Sequence, residues 1–260
     1  MPDIIVAGVG GQGTVLASKL IAHAALAQGS LVRTAETIGM AQRGGSVLGH
    51  VRITAQANHA AGAQAAGTAQ AAALEARTTG TTGAAVPADT AADTTGRNPL
   101  GAPLSPLVPP GGANLLIGFE PAETLRALPY LRQGGTVVTA QHAIAPPTAT
   151  LDGSDYNGNA QLAYLARCAQ SERIGKLVTL DDESICQQCG TSRVLNVALL
   201  GAAVGAGALA FSAVELAFAL EALVKPRFVA LNKRALTLGM QEVLAANILE
   251  AYGTRIGEQP

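Results

Sequence analysis

"IIVAGVGGQGTVLASKL", residues 4–20, is the stretch whose reading decides the fold. An apolar run meets four glycines and one glutamine, and a helix-like pattern follows. Residues 4–7 read as a buried strand. Residues 14–28 read as a helix with Leu16, Leu20, Ala24 and Ala27 along one face and Gly29 closing it. Gly8, Gly10 and Gly13 spell G-x-G-x-x-G between the two, the spacing of a dinucleotide-binding turn. Gly8 and Gly10 suit a tight turn with bare backbone, and Gly13 lets the helix approach the strand closely. The helix start offers free amides and the positive end of a dipole, where an anion fits. Gln12 and Thr14 add side-chain donors there.

Outward from this turn, strands and helices alternate. "SLVRTAE" and "VLGHVRI" read as a second and a third strand, with "TIGMAQRGGS" as a loop between them. Residues 55–101 change character. Ala, Thr and Gly dominate and large apolar residues are scarce, so burial there cannot offset the entropy of ordering. The composition predicts a flexible insertion inside one domain spanning residues 1–260, not a linker between two. Patterning resumes with a strand at residues 114–119 and a helix through "AETLRALPYL" that Pro121 opens. "GGTVVTA" is a strand, "PPTATLDGSDYNG" a loop, "NAQLAYLARCA" a helix and "KLVTL" a strand. "DDESICQQCG" reads as a short helix on an Asp cap, and three further helices close the chain. The expectation is a Rossmann-like, three-layer α/β domain with a mostly parallel sheet, plus a helical C-terminal segment.

Composition excludes several classes. The net charge is −1, aromatics are 3% and tryptophan is absent, so neither a nucleic-acid surface nor a base-stacking platform is expected. Asp3 is acidic and no basic residue precedes Lys19, unlike a secretory leader. Three unevenly placed cysteines do not make a disulfide framework. A cytoplasmic chain is the expectation. Residues 197–214 carry no charge, are long enough for a membrane-span candidate, and include Gly201 and Gly205 in G-x-x-x-G spacing. Ala and Gly dominate the run, however, and Ser212 to Glu215 reads as a capping box that breaks it into two buried helices. No membrane association is expected.

Two functional readings of the glycine turn compete. Glu36 ends the second strand, at the distance expected of a ribose-binding acid in an NAD(P) oxidoreductase. Against this, the turn carries the amide of Gln12, and no catalytic Lys, Tyr or His dyad follows it. A second glycine loop, Gln42-Arg43-Gly44-Gly45-Ser46, leads into the third strand and brings a guanidinium to the same edge of the sheet. Gly11 belongs with this bare backbone. The plainer reading leaves all these glycines as turn-formers. Glu120, at a strand end, reads equally as a site residue or as an acid at a helix start. Cys186 and Cys189 form an isolated C-x-x-C, read first as structural thiols and second as a redox pair or half a metal site. His23 and His50 read as helix-surface and strand residues.

The combination "GVGGQGTVLASKLIAHAAL" and "VRTAETIGMAQRGGSVLGHVRI" closely resembles the gamma-type domain of 2-oxoacid:ferredoxin oxidoreductases. Within that family it looks most like beta subunits of the indolepyruvate branch. "SPLVPPGGANLLIGFEPAETLRALPYLRQGGTVVTA", "SRVLNVALLGA" and "LNKRALTLG" match as well, so the resemblance spans nearly all the chain except residues 55–101. It implies CoA-dependent oxidative decarboxylation of an arylpyruvate, with electrons passed through iron–sulfur clusters to ferredoxin. The chain has no Gly-Asp-Gly to hold thiamine diphosphate and Mg, and three cysteines cannot supply the four thiolates of a cluster. The resemblance therefore implies that thiamine diphosphate, Mg and the clusters reside on a partner alpha subunit, with none bound by this chain alone. A non-catalytic assembly subunit is the remaining alternative.

Overall fold

A computed structural model of the chain describes residues 2–38, 45–54, 105–144 and 158–257. The expected insertion at 55–101, most of the loop expected at 146–158, and Gln42, Arg43 and Gly44 lie outside the described residues. The strands are β1 (Asp3–Val9), β2 (Leu31–Ile38), β3 (Ser46–Thr54), β4 (Ala113–Gly118), β5 (Leu131–Ala140) and β6 (Ile174–Leu180). They form one sheet in the order β2-β3-β1-β4-β5-β6. β1, β4, β5 and β6 pair in parallel, as expected of a mostly parallel sheet. β3 is the exception and runs antiparallel to both β1 and β2. Residues 39–45 alone separate β2 from β3, far short of the dozen or so residues that a parallel crossover needs. The two strands must therefore form a hairpin.

Helices cover both faces. They are α1 (Thr14–Ala27), α2 (Pro121–Ala127), α3 (Asn159–Gln170), α4 (Asp182–Cys189), α5 (Leu195–Gly205), α6 (Ala213–Leu223) and α7 (Pro226–Gly257). Successive side chains of a strand point to opposite faces. Ile4 and Val6 accordingly join the core beneath α1, α5, α6 and α7, while Ile5 and Ala7 join the core beneath α2 and α3. All four are buried to within 1%.

Local chemistry sets the boundaries. Pro129 ends the helix read through "AETLRALPYL". A 3-10 turn spans Leu128–Tyr130, and Leu131 already belongs to β5. Asp181 caps α4 by accepting the Ser184 N–H at 3.1 Å. The Ser212–Glu215 capping box is present at the start of α6 and splits the uncharged run into α5 and α6. Among the described residues no helix is long and apolar enough to cross a membrane.

His50 occupies the buried middle of β3, as a strand residue rather than a site residue. Its Nδ1 accepts the Val108 N–H at 3.1 Å, and its ring meets Tyr130 edge-on with centroids 5.5 Å apart. Accepting at Nδ1 requires the neutral ring, and burial lowers its pKa. The folded state thus binds this proton less readily than the unfolded chain. The corresponding stability is complete above the ordinary histidine value of about 6.5 and is lost as pH falls from there. Thermal melts should show the loss in wild type, and His50→Gln, which keeps an acceptor without titrating, should flatten it.

Candidate functional site

The glycine turn stands at the carboxyl end of β1, where the chain leaves for α1. Gly11 has φ +105° and Gly13 φ +86°, and both lie in the left-handed region that favours glycine. Among the described residues nothing lies within 4 Å of where a Cβ on Gly11 would stand. A Cβ on Gly13 would lie 2.7 Å from Nδ2 of Asn196. Gln12 folds back into the turn. Its Oε1 accepts the Val9 N–H at 2.6 Å, and its Nε2 donates to the Phe119 carbonyl at 3.2 Å. The amide that sequence reading offers to a ligand thus ties the end of β1 to the end of β4. Thr14 is buried, its methyl against the bare Gly8.

The second glycine loop arrives at the same place. The Gly10 N–H donates to the Gly45 carbonyl at 2.8 Å, and Ser46 faces Val9 in the β1–β3 register. Ser46 Oγ donates to Glu123 Oε2 at 2.6 Å. Glu120 is buried at the start of α2 and accepts the Glu123 N–H at 2.9 Å, which makes it a helix cap. Gly8, Gly10, Gly11, Gln12, Gly13, Thr14, Gly45, Ser46 and Glu120 therefore meet at one edge of the sheet. β1 is flanked there by β4, its parallel neighbour, and by β3, the return strand. This is the point at which the chain switches direction across the sheet and where open α/β sheets bind ligands.

Glu36 does not join them. It lies on exposed β2, opposite Gly49, with β3 between it and β1. A ribose-binding acid belongs on the strand beside the glycine turn, so the strand order removes the spacing argument for NAD. Burial of its surroundings raises the Glu36 carboxyl pKa, opposed by the charge of Lys19.

Two residues of this edge escaped sequence reading. Glu123 pairs with Arg126 and receives the Ser46 hydroxyl; its signal was the acid three residues after Glu120 at a helix start. Asn196 is 2% exposed and donates to the Gly13 carbonyl at 3.4 Å. Its signal was a lone amide in the apolar run of "SRVLNVALLGA".

The cysteines divide between the two faces. Cys186 and Cys189 share α4 and pack against one core, and Cys168 packs against the other. Burial, with the charges of Asp182 and Cys189, pushes the Cys186 thiol up to about 11. It is a protonated thiol at neutral pH, a poor nucleophile and a poor metal ligand.

A three-layer α/β sheet with a glycine turn at its switch point, joined there by Gly45 and Ser46, defines a Rossmann-like domain. A sequence model of pyruvate ferredoxin/flavodoxin oxidoreductases matches residues 3–92 and 99–242. The chain belongs to this family, and the match enters the stretch read as an insertion. The chain is 28% identical to indolepyruvate oxidoreductase subunit IorB of Archaeoglobus fulgidus, over 94% of this chain and 96% of that one. It is 29% identical to the IorB subunit of Pyrococcus horikoshii, over 92% and 94%. Its fold is that of the keto/oxoacid ferredoxin oxidoreductase gamma subunit from Geobacter sulfurreducens, with TM-score 0.54 at 17% identity over 94% and 99% of the chains. The 2-oxoglutarate:ferredoxin oxidoreductase from Magnetococcus marinus shares it, with TM-score 0.53 at 16% identity over 95% of this chain and 32% of that longer one. The relatives are subunits of 2-oxoacid:ferredoxin oxidoreductases, as the resemblance implied.

Proposed function

We propose that the chain is the smaller subunit of an indolepyruvate-type 2-oxoacid:ferredoxin oxidoreductase, a cytoplasmic complex that decarboxylates an arylpyruvate oxidatively and transfers the acyl group to CoA. The supporting observation is the similarity to IorB subunits across more than nine-tenths of both chains. In this reading the alpha partner holds thiamine diphosphate, Mg and the iron–sulfur clusters, and ferredoxin takes the electrons from the complex. The whole chain is one gamma-type domain interrupted at about residues 55–101. The edge at Gly10, Gly11 and Gly45, to which the sequence leads one to expect Arg43 to be brought, faces either the alpha subunit or the nucleotide part of CoA. Arginine suits a phosphate or carboxylate through its planar fork.

The test is reconstitution. The purified chain should be colourless and inactive. Adding an alpha subunit loaded with thiamine diphosphate should give indolepyruvate- and CoA-dependent reduction of ferredoxin or a dye. An iron–sulfur absorption band in the isolated chain, or NAD-dependent turnover by it, would sink the proposal. Arg43→Ala should weaken an anion contact by about 1–3 kcal/mol. A raised requirement for CoA with normal assembly assigns the edge to CoA, and lost assembly assigns it to the partner. Wild-type behaviour in both assays returns the edge to plain turn-making. Gly11→Ala is a weaker probe, because φ +105° strains any side chain there whatever it meets.

A further inference from the structure

A second polar site lies along the same side of the sheet, at the carboxyl ends of β5 and β6. Gln141 and His142 follow β5 directly, and Asp181 follows β6 and caps α4. Here an open cavity of about 270 Å³, closer to a surface groove than to an enclosed pocket, is lined by Gln141, His142, Asp181, Glu183, Ser184 and Gln187. One oxygen of Asp182 organises its wall. Oδ1 accepts the backbone N–H groups of Gln141 and His142, each at 3.0 Å, and lies 2.9 Å from His142 Nδ1. The other ring nitrogen, Nε2, lies 2.9 Å from Glu183 Oε2. One imidazole thus stands between two carboxylates with both nitrogens at hydrogen-bond distance.

Carboxylates are acceptors only, and a neutral imidazole has a single N–H. Only the Asp182 contact has hydrogen-bond geometry; the Glu183 contact is an ion pair, which holds only while the ring is an imidazolium. The two carboxylates are also held unequally. Asp182 is buried and keeps two backbone donors whatever the ring does. The Glu183 side chain is 59% exposed, and among the described residues its second oxygen accepts a long 3.3 Å bond from Gln187 Nε2.

We propose that His142 is a proton-operated latch on this cavity: as an imidazolium it clamps Glu183 against the β5 end, and on losing its proton it keeps Asp182 and releases Glu183. The retained proton sits on Nδ1 and still donates to Asp182. Nε2 then presents a lone pair to Glu183 Oε2, and the exposed carboxylate turns to water. Among the described residues the charged groups facing the ring are Asp181, Asp182 and Glu183 of the α4 start, with Glu242 of α7 behind them accepting the Asp181 N–H at 2.8 Å. All are acidic, so they favour the imidazolium. The hydrogen bond to Asp182 is the largest influence raising the His142 pKa, and partial burial opposes it. Opening therefore belongs to the alkaline side of the ordinary histidine range.

The sign follows from linkage. A folded pKa raised above the unfolded one gives stability that is complete below the unfolded value, about 6.5, and is lost as pH rises through the folded value. The test is a proton and nitrogen NMR titration of the histidine rings in the full chain, with His142 assigned by its loss in His142→Gln. The expected result is a His142 midpoint above that of an ordinary histidine, a neutral form protonated at Nδ1, and a lower midpoint in Glu183→Gln. That variant replaces an exposed side chain and leaves the Asp182 anchor in place. In parallel, wild type should melt at a higher temperature than His142→Gln near pH 6, with the difference smaller near pH 9. A midpoint at or below the ordinary value, or one unmoved by Glu183→Gln, would overturn the latch. So would a melting difference that persists unchanged to the alkaline end.

Discussion

Gly239→Val is expected to destabilise the chain by about 3 kcal/mol or more, enough to move a urea midpoint by at least about 1 M. α5 and α7 meet backbone to backbone. A Cβ on Gly239 would fall on the carbonyl of Ala198, one on Gly201 would fall on the carbonyl of Leu236, and one on Gly205 would stand 2.7 Å from the Met240 oxygen. Neither helix can retreat cheaply. Val197, Ala198, Leu199, Leu200, Ala202 and Ala203 of α5 are all fully buried against the sheet and its neighbours. A flexible side chain in the way could swing aside, but a carbonyl can move only with its helix. Gly190→Ala is the control. Gly190 ends α4 at φ +71° with open space where a Cβ would go, so its cost is limited to backbone strain of about 1 kcal/mol. Equal midpoints for Gly239→Val and wild type would show that the helices are not in this contact.

Gln12→Ala is expected to cost about 2–3 kcal/mol of stability, because it leaves the Val9 N–H and the Phe119 carbonyl without their partner. Gln12→Glu should fall between. A carboxylate still accepts from Val9 but meets the Phe119 carbonyl as a second acceptor. Urea unfolding ranks the three proteins. The order wild type, Glu, Ala supports a brace within the turn. If the amide instead served a ligand, Gln12→Ala would unfold like wild type and fail only in the reconstituted complex.

These two residues mark where sequence reading stops. The glycine turn, the Asp181 cap and the Ser212–Glu215 box are each made by residues only a few positions apart along the chain, and local pattern revealed them. So did the strand alternation behind the α/β class. Other features depend on pairings across the chain that no local pattern carries. Asn196 reaches Gly13 from 183 residues away, and Gln12 reaches Phe119 from 107. The antiparallel course of β3 was legible in principle, since the short link from Ile38 to Ser46 permits only a hairpin. Overlooking it made Glu36 look like a neighbour of the turn. Pro129 likewise signalled the early end of α2, but the apolar residues on both sides of it continued a helical pattern.

The placement of β1 has a consequence for a severed chain. β1 pairs on one side with β3, before residues 55–104, and on the other with β4, after them. A peptide-bond cut in that stretch would yield two pieces that still share a strand seam from Ile4–Leu115 to Ala7–Gly118. Arg52 would still hold the carbonyls of Ser105 and Leu107, His50 the Val108 amide, and Asn196 the Gly13 carbonyl. Nicked protein should run as two bands on a denaturing gel and as a single species on a sizing column. Two separately expressed halves should find each other and restore the whole.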